Sequence, residues 1–156
     1  MTIKYIVDTR EQLPLSVGTS KTRKYKKLNV GDYGLEIDGE LQKISVERKS
    51  PEDLIATVTS GHKRFKKEIQ RAIDNKILLY ILIECSYTTV RDFTWLVTKC
   101  KTKGETVLKI CHTLELKYGV RFVFCNSRKE MIDYINRLFD SYKKNRGVLY
   151  YGSKES

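Results

Sequence analysis

Three side chains in the first third of the chain, Asp32, Glu47 and Lys49, have the types and spacing needed to hydrolyse a phosphodiester. Two carboxylates held close together bind one hard divalent cation. Such a cation polarises a phosphoryl oxygen and lowers the pKa of a bound water. A lysine beside it orients that water or offsets the negative charge that develops in the transition state. Acids and lysines are abundant here, so residue type alone discriminates little. What matters is whether the three share a surface.

The surrounding elements supply one. Tyr33, Leu35 and Ile37 alternate with Gly34, Glu36 and Asp38, the two-residue period of a strand. Asp38-Gly39 is a strong hairpin-turn signal, and the return strand is predicted from about Leu41 to Lys49. With Asp38 and Gly39 as the two turn residues, Ile37 faces Glu40, Tyr33 faces Ile44 and Asp32 faces Ser45. Residues two apart on a strand share a face. Asp32, Ser45, Glu47 and Lys49 therefore lie on one face, with Tyr33, Leu35, Ile44 and Val46 on the other. Asp32 and Glu47 become diagonal neighbours, roughly 7–8 Å apart at the backbone. A four-residue loop keeps this parity, whereas a three-residue loop puts the acids on opposite faces.

Elsewhere strands and helices alternate. Ile3 to Val7 reads as a first strand, ending in the polar turn Asp8-Thr9-Arg10-Glu11. A lysine-rich, mobile loop is expected from Ser16 to about Lys24, then an extended segment from Lys26 to Val30. Ser50-Pro51-Glu52-Asp53 has the serine N-cap, proline at the first helical position and acid at the third that start a helix. That helix carries Leu54, Ile55 and Val58 inward and pauses near Ser60-Gly61. A second, from His62 to about Asn75, buries Phe65, Ile69, Ala72 and Ile73. A strand from Ile77 to Ile83 follows, then helices near Val90 to Cys100 and Glu105 to Tyr118, a strand from Val120 to Phe124, and a helix from Lys129 to Lys143. This order fits one three-layer α/β domain over residues 1–143, a central mixed β-sheet flanked by helices, with a tail at 144–156.

Bulk composition narrows the function classes. The 156 residues are 40% apolar and 31% charged, enough for one core. No window approaches the roughly 20 apolar residues that span a bilayer, and no signal-peptide pattern opens the chain, so a soluble intracellular protein without membrane association is expected. The four cysteines form no C-x-x-C pair and only two histidines accompany them, which disfavours structural zinc. Neither His62 nor His112 has a spaced partner. A net charge of +11 spread along the chain points to an anionic partner, of which nucleic acid is the commonest.

Gly31-Asp32, a gap, then Glu47-Arg48-Lys49-Ser50-Pro51-Glu52-Asp53 resembles the G-D-X(n)-E-R-K-X(3)-D signature of the XPF family of structure-selective DNA endonucleases. Asp8-Thr9-Arg10-Glu11 is similar to that family's D-x-R-E segment, and Arg64-Phe65 with Glu68 to its arginine-phenylalanine stretch. The resemblance spans about the first 85 residues. It implies a restriction-endonuclease-like core, a Mg²⁺ or Mn²⁺ cofactor, and a homodimer or heterodimer formed through the nuclease domain. By position it makes Asp32 and Glu47 metal ligands, Lys49 the catalytic lysine and Asp8 a further acid at the metal, with Arg10, Glu11, Arg48 and Asp53 in support. Family members that cut branched DNA usually carry a tandem helix-hairpin-helix domain. These 156 residues are expected to hold no such domain, so DNA is expected to be held by the core, a dimer partner or an accessory DNA-binding protein.

Each residue also has a plainer reading. Asp8 and Asp32 serve as turn residues, and Asp53 is explained by the capping box alone. Glu47 and Lys49 make a surface ion pair on an edge strand. Lys24, Lys26 and Lys27, with Lys21 and Arg23, form either a phosphate-contacting flap or a solvated loop. Lys63, Arg64 and Lys67 face either solvent or DNA. The reading that absorbs most residues is a metal-dependent DNA endonuclease acting on structured DNA, such as branches. The alternatives are a Holliday-junction resolvase or restriction-type nuclease of the same fold, and a non-catalytic DNA-binding scaffold. The intact Asp32, Glu47 and Lys49 weigh against the scaffold.

Overall fold

The computed structural model describes residues 1–98 and 102–146. The elements are β1 (Ile3–Val7), β2 (Arg23–Tyr25), β3 (Tyr33–Ile37), β4 (Glu40–Lys49), α1 (Pro51–Val58), α2 (His62–Asp74), β5 (Leu78–Ile83), α3 (Tyr87–Thr98), α4 (Gly104–Tyr118), β6 (Arg121–Phe124) and α5 (Arg128–Lys144). The strands form one mixed sheet in the order β2-β1-β3-β4-β5-β6. β1, β3 and β4 are antiparallel neighbours, while β5 and β6 add parallel to β4 through helical crossovers. Helices α1, α2 and α4 bury Leu54, Ile55, Phe65, Ile69, Val107 and Leu114 with Ile81, Ile83 and Phe122 of the sheet. On the opposite face α5 buries Met131, Ile135 and Phe139 with Tyr33, Leu35, Val46 and Leu82. This is the expected three-layer arrangement. The expected helix end at Cys100, the Trp95 side chain and the tail beyond residue 146 lie outside what is described.

The segment expected to be a mobile loop is tied down. Leu15 and Val17 are buried, the Gly18 N–H donates to Asn136 Oδ1 (2.9 Å), and Arg23 Nε donates to the Val17 carbonyl (3.0 Å). The extended segment sits earlier than expected, at Arg23–Tyr25, where it pairs in parallel with β1. Residues 26–30 are irregular, and their apolar members Leu28 and Val30 are buried without a ladder. Ile73, expected inward, is 38% exposed because it lies in the last turn of α2, beyond the reach of the core.

The hairpin carries the most consequential difference. Asp38 (φ +50°) and Gly39 (φ +84°) form the tight turn, both in the left-handed region that such a turn requires. Ile37 pairs with Glu40 and Glu36 with Leu41, as expected. Past Leu41 the return strand bulges, so that Gly34 pairs with Ser45 and Tyr33 with Val46. The register has moved by two residues from the regular one. An even shift preserves the side-chain parity, so the acids stay on one face. Carried one residue beyond the last pair, the register also moves Asp32 from a position diagonal to Glu47 to one across from it, with the Asp32 N–H bonded to the Val46 carbonyl (2.8 Å).

Gly31 makes this approach possible. Its φ is +77°, and a Cβ there would overlap the Ser45 hydroxyl, which is itself engaged with the Val30 carbonyl (2.6 Å), while standing 3.1 Å from the Val46 carbonyl. Gly39 has a similar φ but open space around it. Gly31→Ala is therefore expected to lower unfolding free energy by about 2 kcal/mol or more, and Gly39→Ala by only about 1 kcal/mol. Urea melts of the two variants check this, and equal losses would show that the close approach to Ser45 contributes nothing.

Candidate active site

β4 is central, paired antiparallel to β3 and parallel to β5, and its end carries the site. Glu47 is 7% exposed, opposite Asp32 on one side and beside Ile81 on the other. Lys49 extends from the same face, its Nζ 2.9 Å from Glu47 Oε2 and 5.8 Å above the Phe65 ring. Asp32 Oδ2 accepts the Arg48 N–H (2.9 Å). Burial, and then the Glu47 charge facing it, push the Asp32 carboxyl up to about 7, although the Arg48 N–H opposes the shift. For the Lys49 ammonium, burial works against the charge and the Glu47 carboxylate outweighs it, leaving the pKa above its usual value. The plainer reading of Glu47 and Lys49 as an edge-strand surface pair is thus replaced by a largely buried pair on a central strand.

A third carboxylate joins them. Glu68, on the inner side of α2, hydrogen-bonds Glu47 and is raised well above the carboxylate range, first by burial and then by Glu47. In the sequence it stands near Arg64-Phe65 with nothing to mark a role at the site. The available signal was its place three residues after the buried Phe65, which turns it toward the sheet. Its neighbours Lys66 and Lys67 disguise it as part of a solvated charge run.

The supporting residues build the frame. Arg48 points to the other side of β4, where Nε meets Glu11 Oε2 (3.2 Å) and Nη1 lies 3.8 Å from Glu84 Oε1. Glu11 also accepts the Tyr33 hydroxyl (2.5 Å), which in turn accepts the Leu15 N–H (2.8 Å). The Asp8 N–H donates to the Asp32 carbonyl (2.8 Å), while its carboxylate is engaged by Arg10 and Leu28. Its Oδ1 accepts Arg10 N and Nε (both 2.8 Å), and its Oδ2 accepts Arg10 Nη2 (2.8 Å) and Leu28 N (2.7 Å). With both oxygens so engaged, Asp8 closes the turn after β1, which is its plainer reading. Asp53 is exposed, and its N–H donates to Ser50 Oγ (3.1 Å), the capping role.

The basic residues divide in two. Lys24 and Lys26 reach the buried Glu36, Nζ to Oε1 at 3.2 Å and Nζ to Oε2 at 2.8 Å, so part of their charge neutralises an internal carboxylate. Lys27 is exposed nearby. Lys63 and Arg64, by contrast, line a cleft of about 770 Å³ with Glu47, Lys49, Phe65, Glu68 and Arg71, while Lys67 lies on the exposed surface of the same helix. A smaller cavity of about 330 Å³, at the opposite end of β5, is lined mainly by apolar residues such as Ile69, Ala72 and Val120 and holds none of the site residues.

Asp32 and Glu47 are hard oxygen donors facing each other at the base of this site, the donor chemistry that suits Mg²⁺ or Mn²⁺. Among the described residues no three acid, histidine or cysteine side chains are already gathered as a ligand shell. A two-carboxylate site completed by water fits magnesium, which keeps several of its waters.

A mixed sheet with two facing carboxylates and a lysine at the end of its central strand defines a nuclease domain of the restriction-endonuclease-like fold. The chain belongs to the ERCC4 domain family, whose sequence model matches residues 7–138. Among solved structures it is similar to XPF from Aeropyrum pernix, with a TM-score of 0.67 and 21% identity over 92% of this chain and 69% of that one. A second structure, XPF from Aeropyrum pernix in complex with DNA, gives a TM-score of 0.64 and 22% identity over 88% of this chain and 65% of that one. The chain thus spans about two thirds of the length of those relatives. No curated protein matches it. Among the described residues no helix is long and apolar enough to cross a membrane.

The Asp8 clasp gives a pH signature separate from chemistry. The Arg10 guanidinium, followed by the Leu28 N–H, holds the Asp8 carboxyl down to about 2, against the usual 3.8, although burial opposes the shift. A depressed folded-state pKa contributes stability that is present above about pH 4 and is lost as pH falls toward 2. With Arg10 exposed, solvent screening reduces the contribution to about 1–2 kcal/mol. Asp8→Asn should be destabilised by that amount at pH 7 and converge with the parent near pH 2. Parallel melting curves across this window would refute the clasp.

Proposed function

We propose that this chain is a metal-dependent endonuclease that hydrolyses DNA phosphodiester bonds, with branched or otherwise structured DNA as its substrate class. The observation that carries the reading is the direct apposition of Asp32 and Glu47, with Lys49 on the same face, beneath a cleft walled by cations. The solved complex of an XPF relative with DNA supports the choice of substrate. Family membership supports a Mg²⁺ or Mn²⁺ cofactor and dimerisation through this domain.

Asp32 and Glu47 would hold the cation, which supplies a polarised phosphoryl oxygen and a more acidic water. The remaining work belongs to the side chains. Lys63, Arg64 and Arg71 attract the phosphate backbone into the cleft and fix its register without reading bases. Lys49, held charged by Glu47, sits where negative charge develops and stabilises it or orients the attacking water. Glu68 fixes the Glu47 carboxylate from the α2 side and acts as a positioning residue.

Incubating purified protein with fork, flap, four-way and linear duplex DNA, in Mg²⁺ and in EDTA, tests the assignment and ranks the substrates. Cleavage in Mg²⁺ alone is the expected result, and Asp32→Asn or Glu47→Ala should abolish it while leaving folding and much DNA binding intact. Lys49→Ala should lower kcat by about 10²–10³-fold. Glu68→Ala should cost about 10–100-fold, and Glu68→Gln should recover most of that loss because a hydrogen-bond partner for Glu47 remains. Unchanged turnover in Asp32→Asn or Glu47→Ala, with no contaminating nuclease, would defeat the reading.

A further inference from the structure

Helix α2 separates two clefts. One is the active cleft, with Lys63, Arg64 and Arg71 on its wall. On the other side, α2 and α4 leave a groove of about 260 Å³ that carries Lys66 from α2 and Lys109 and Lys117 from α4, with His62 at its margin and the hydroxyls of Thr106 and Thr113 along it. Among the described residues, no carboxylate lines this groove. None of the three lysines has an ion-pair partner among the described residues, whereas Lys24 and Lys26 are paired with Glu36, Lys49 with Glu47, and Lys143 and Lys144 with Asp140. The outer surface of α2, with Lys63, Arg64, Lys66 and Lys67 exposed, joins the two clefts in one basic band.

We infer that the α2–α4 groove is a second phosphate-binding track, which holds an arm of the DNA beyond the scissile phosphate. This rests on the DNA reading above and adds to it a path for the substrate. Lys109 and Lys117 are eight residues apart on one helix, about 12 Å along its axis. One strand of duplex DNA carries a charge per about 3.4 Å of helix axis, so that distance corresponds to three or four phosphates. The exposed Thr106 hydroxyl adds a neutral donor to phosphate oxygens, whereas the Thr113 hydroxyl donates to the Lys109 carbonyl (3.0 Å). A polyanion that passes through the active cleft and over α2 meets this groove next. An isolated acidic protein segment has no such reason to be continuous with the catalytic centre.

The test is fluorescence anisotropy with a fluorescein-labelled forked duplex, in EDTA, over a range of salt concentrations. A variant with Lys66→Ala, Lys109→Ala and Lys117→Ala together should bind at least tenfold more weakly at low salt. Its slope of log affinity against log salt should be shallower by about 2–3. The paired control Lys43→Ala and Lys129→Ala, exposed on other surfaces, should leave the slope as it is. Should the triple variant fail to fold, Lys66→Ala and Lys117→Ala, on different helices, should each reduce the slope by about 0.9. An unchanged slope alongside normal binding by the parent overturns the track and leaves the groove to an acidic protein. A parent that binds forked DNA with the expected slope change but cleaves nothing overturns the nuclease reading and keeps the track, while a parent with no salt-dependent binding overturns both.

Discussion

Two carboxylates placed face to face inside a sheet repel one another, and much of this domain is arranged so that they stay there. Asp32 and Glu47 cannot move apart without breaking the register between β3 and β4. That register is secured by the turn at Asp38-Gly39, the close approach of Gly31 to Ser45, and the Arg48 N–H on Asp32. Burial and then the Glu47 charge raise the Asp32 pKa, so the double anion is disfavoured unless a cation offsets it. The tension is local, and the frame around it is correspondingly well satisfied. Among the described residues, every buried side-chain nitrogen and oxygen has a partner.

The same logic explains where the positive charge goes. A net +11 suggests a surface committed to an anionic ligand, yet part of that charge serves the interior. Glu36, buried behind β2, takes two lysines; Asp8 takes Arg10; Glu11 takes Arg48; Glu47 takes Lys49. Desolvating a carboxylate is costly unless a cation or several N–H groups replace its water, so each buried acid draws a basic residue out of the pool available for binding. Among the described residues, the basic side chains of α2 and α4 that border the clefts, Lys63, Arg64, Lys66, Arg71, Lys109 and Lys117, take part in none of these pairings. Net charge alone overstates the binding surface, and the pairings show which part of it is free.

Local pattern determined most of the fold. Alternation in β3, the Asp-Gly turn and the Ser-Pro-Glu-Asp helix start each act within a few residues, and each was legible. Parity survived an unforeseen bulge because two extra residues restore the face; one extra residue would have separated Asp32 from Glu47. The misreadings were of long-range origin. Nothing near Lys24 or Lys26 indicates that Glu36 will be buried ten residues later, and nothing in residues 16–22 indicates that Gly18 will meet Asn136 on α5. The placement of β2 at 23–25 depends on the edge of β1, an edge that sequence alone does not reveal. Glu68 escaped because its role is defined by Glu47, a residue from another element. Asp8 shows the converse: a resemblance located an acid near the site, and its contacts with Arg10 and Leu28 lie too far along the chain for its neighbours to announce them all.

The topology also determines which residues wall the site. Antiparallel strands join through two residues, so β3 can deliver Asp32 to β4 with almost no intervening chain. Parallel strands cannot be joined that way, and the step from β4 to β5 takes a long crossover connection, here a helical one. Here the crossover is α1 and α2, and it must pack over the face of β4 that carries Glu47 and Lys49, because the opposite face belongs to α5. A helix laid over two acids and a lysine cannot be apolar on its whole inner side. Phe65 and Ile69 fill the core, and Glu68 lies between them where the carboxylates need a partner, with Arg64 and Arg71 at the cleft wall. The cations that attract phosphate therefore come from a connection that the sheet requires in any case. β1 and β4 each have one antiparallel and one parallel neighbour, but the parallel neighbour of β1 is reached through a segment without a helix, whereas that of β4 is reached through α1 and α2, which bring the cleft wall with them.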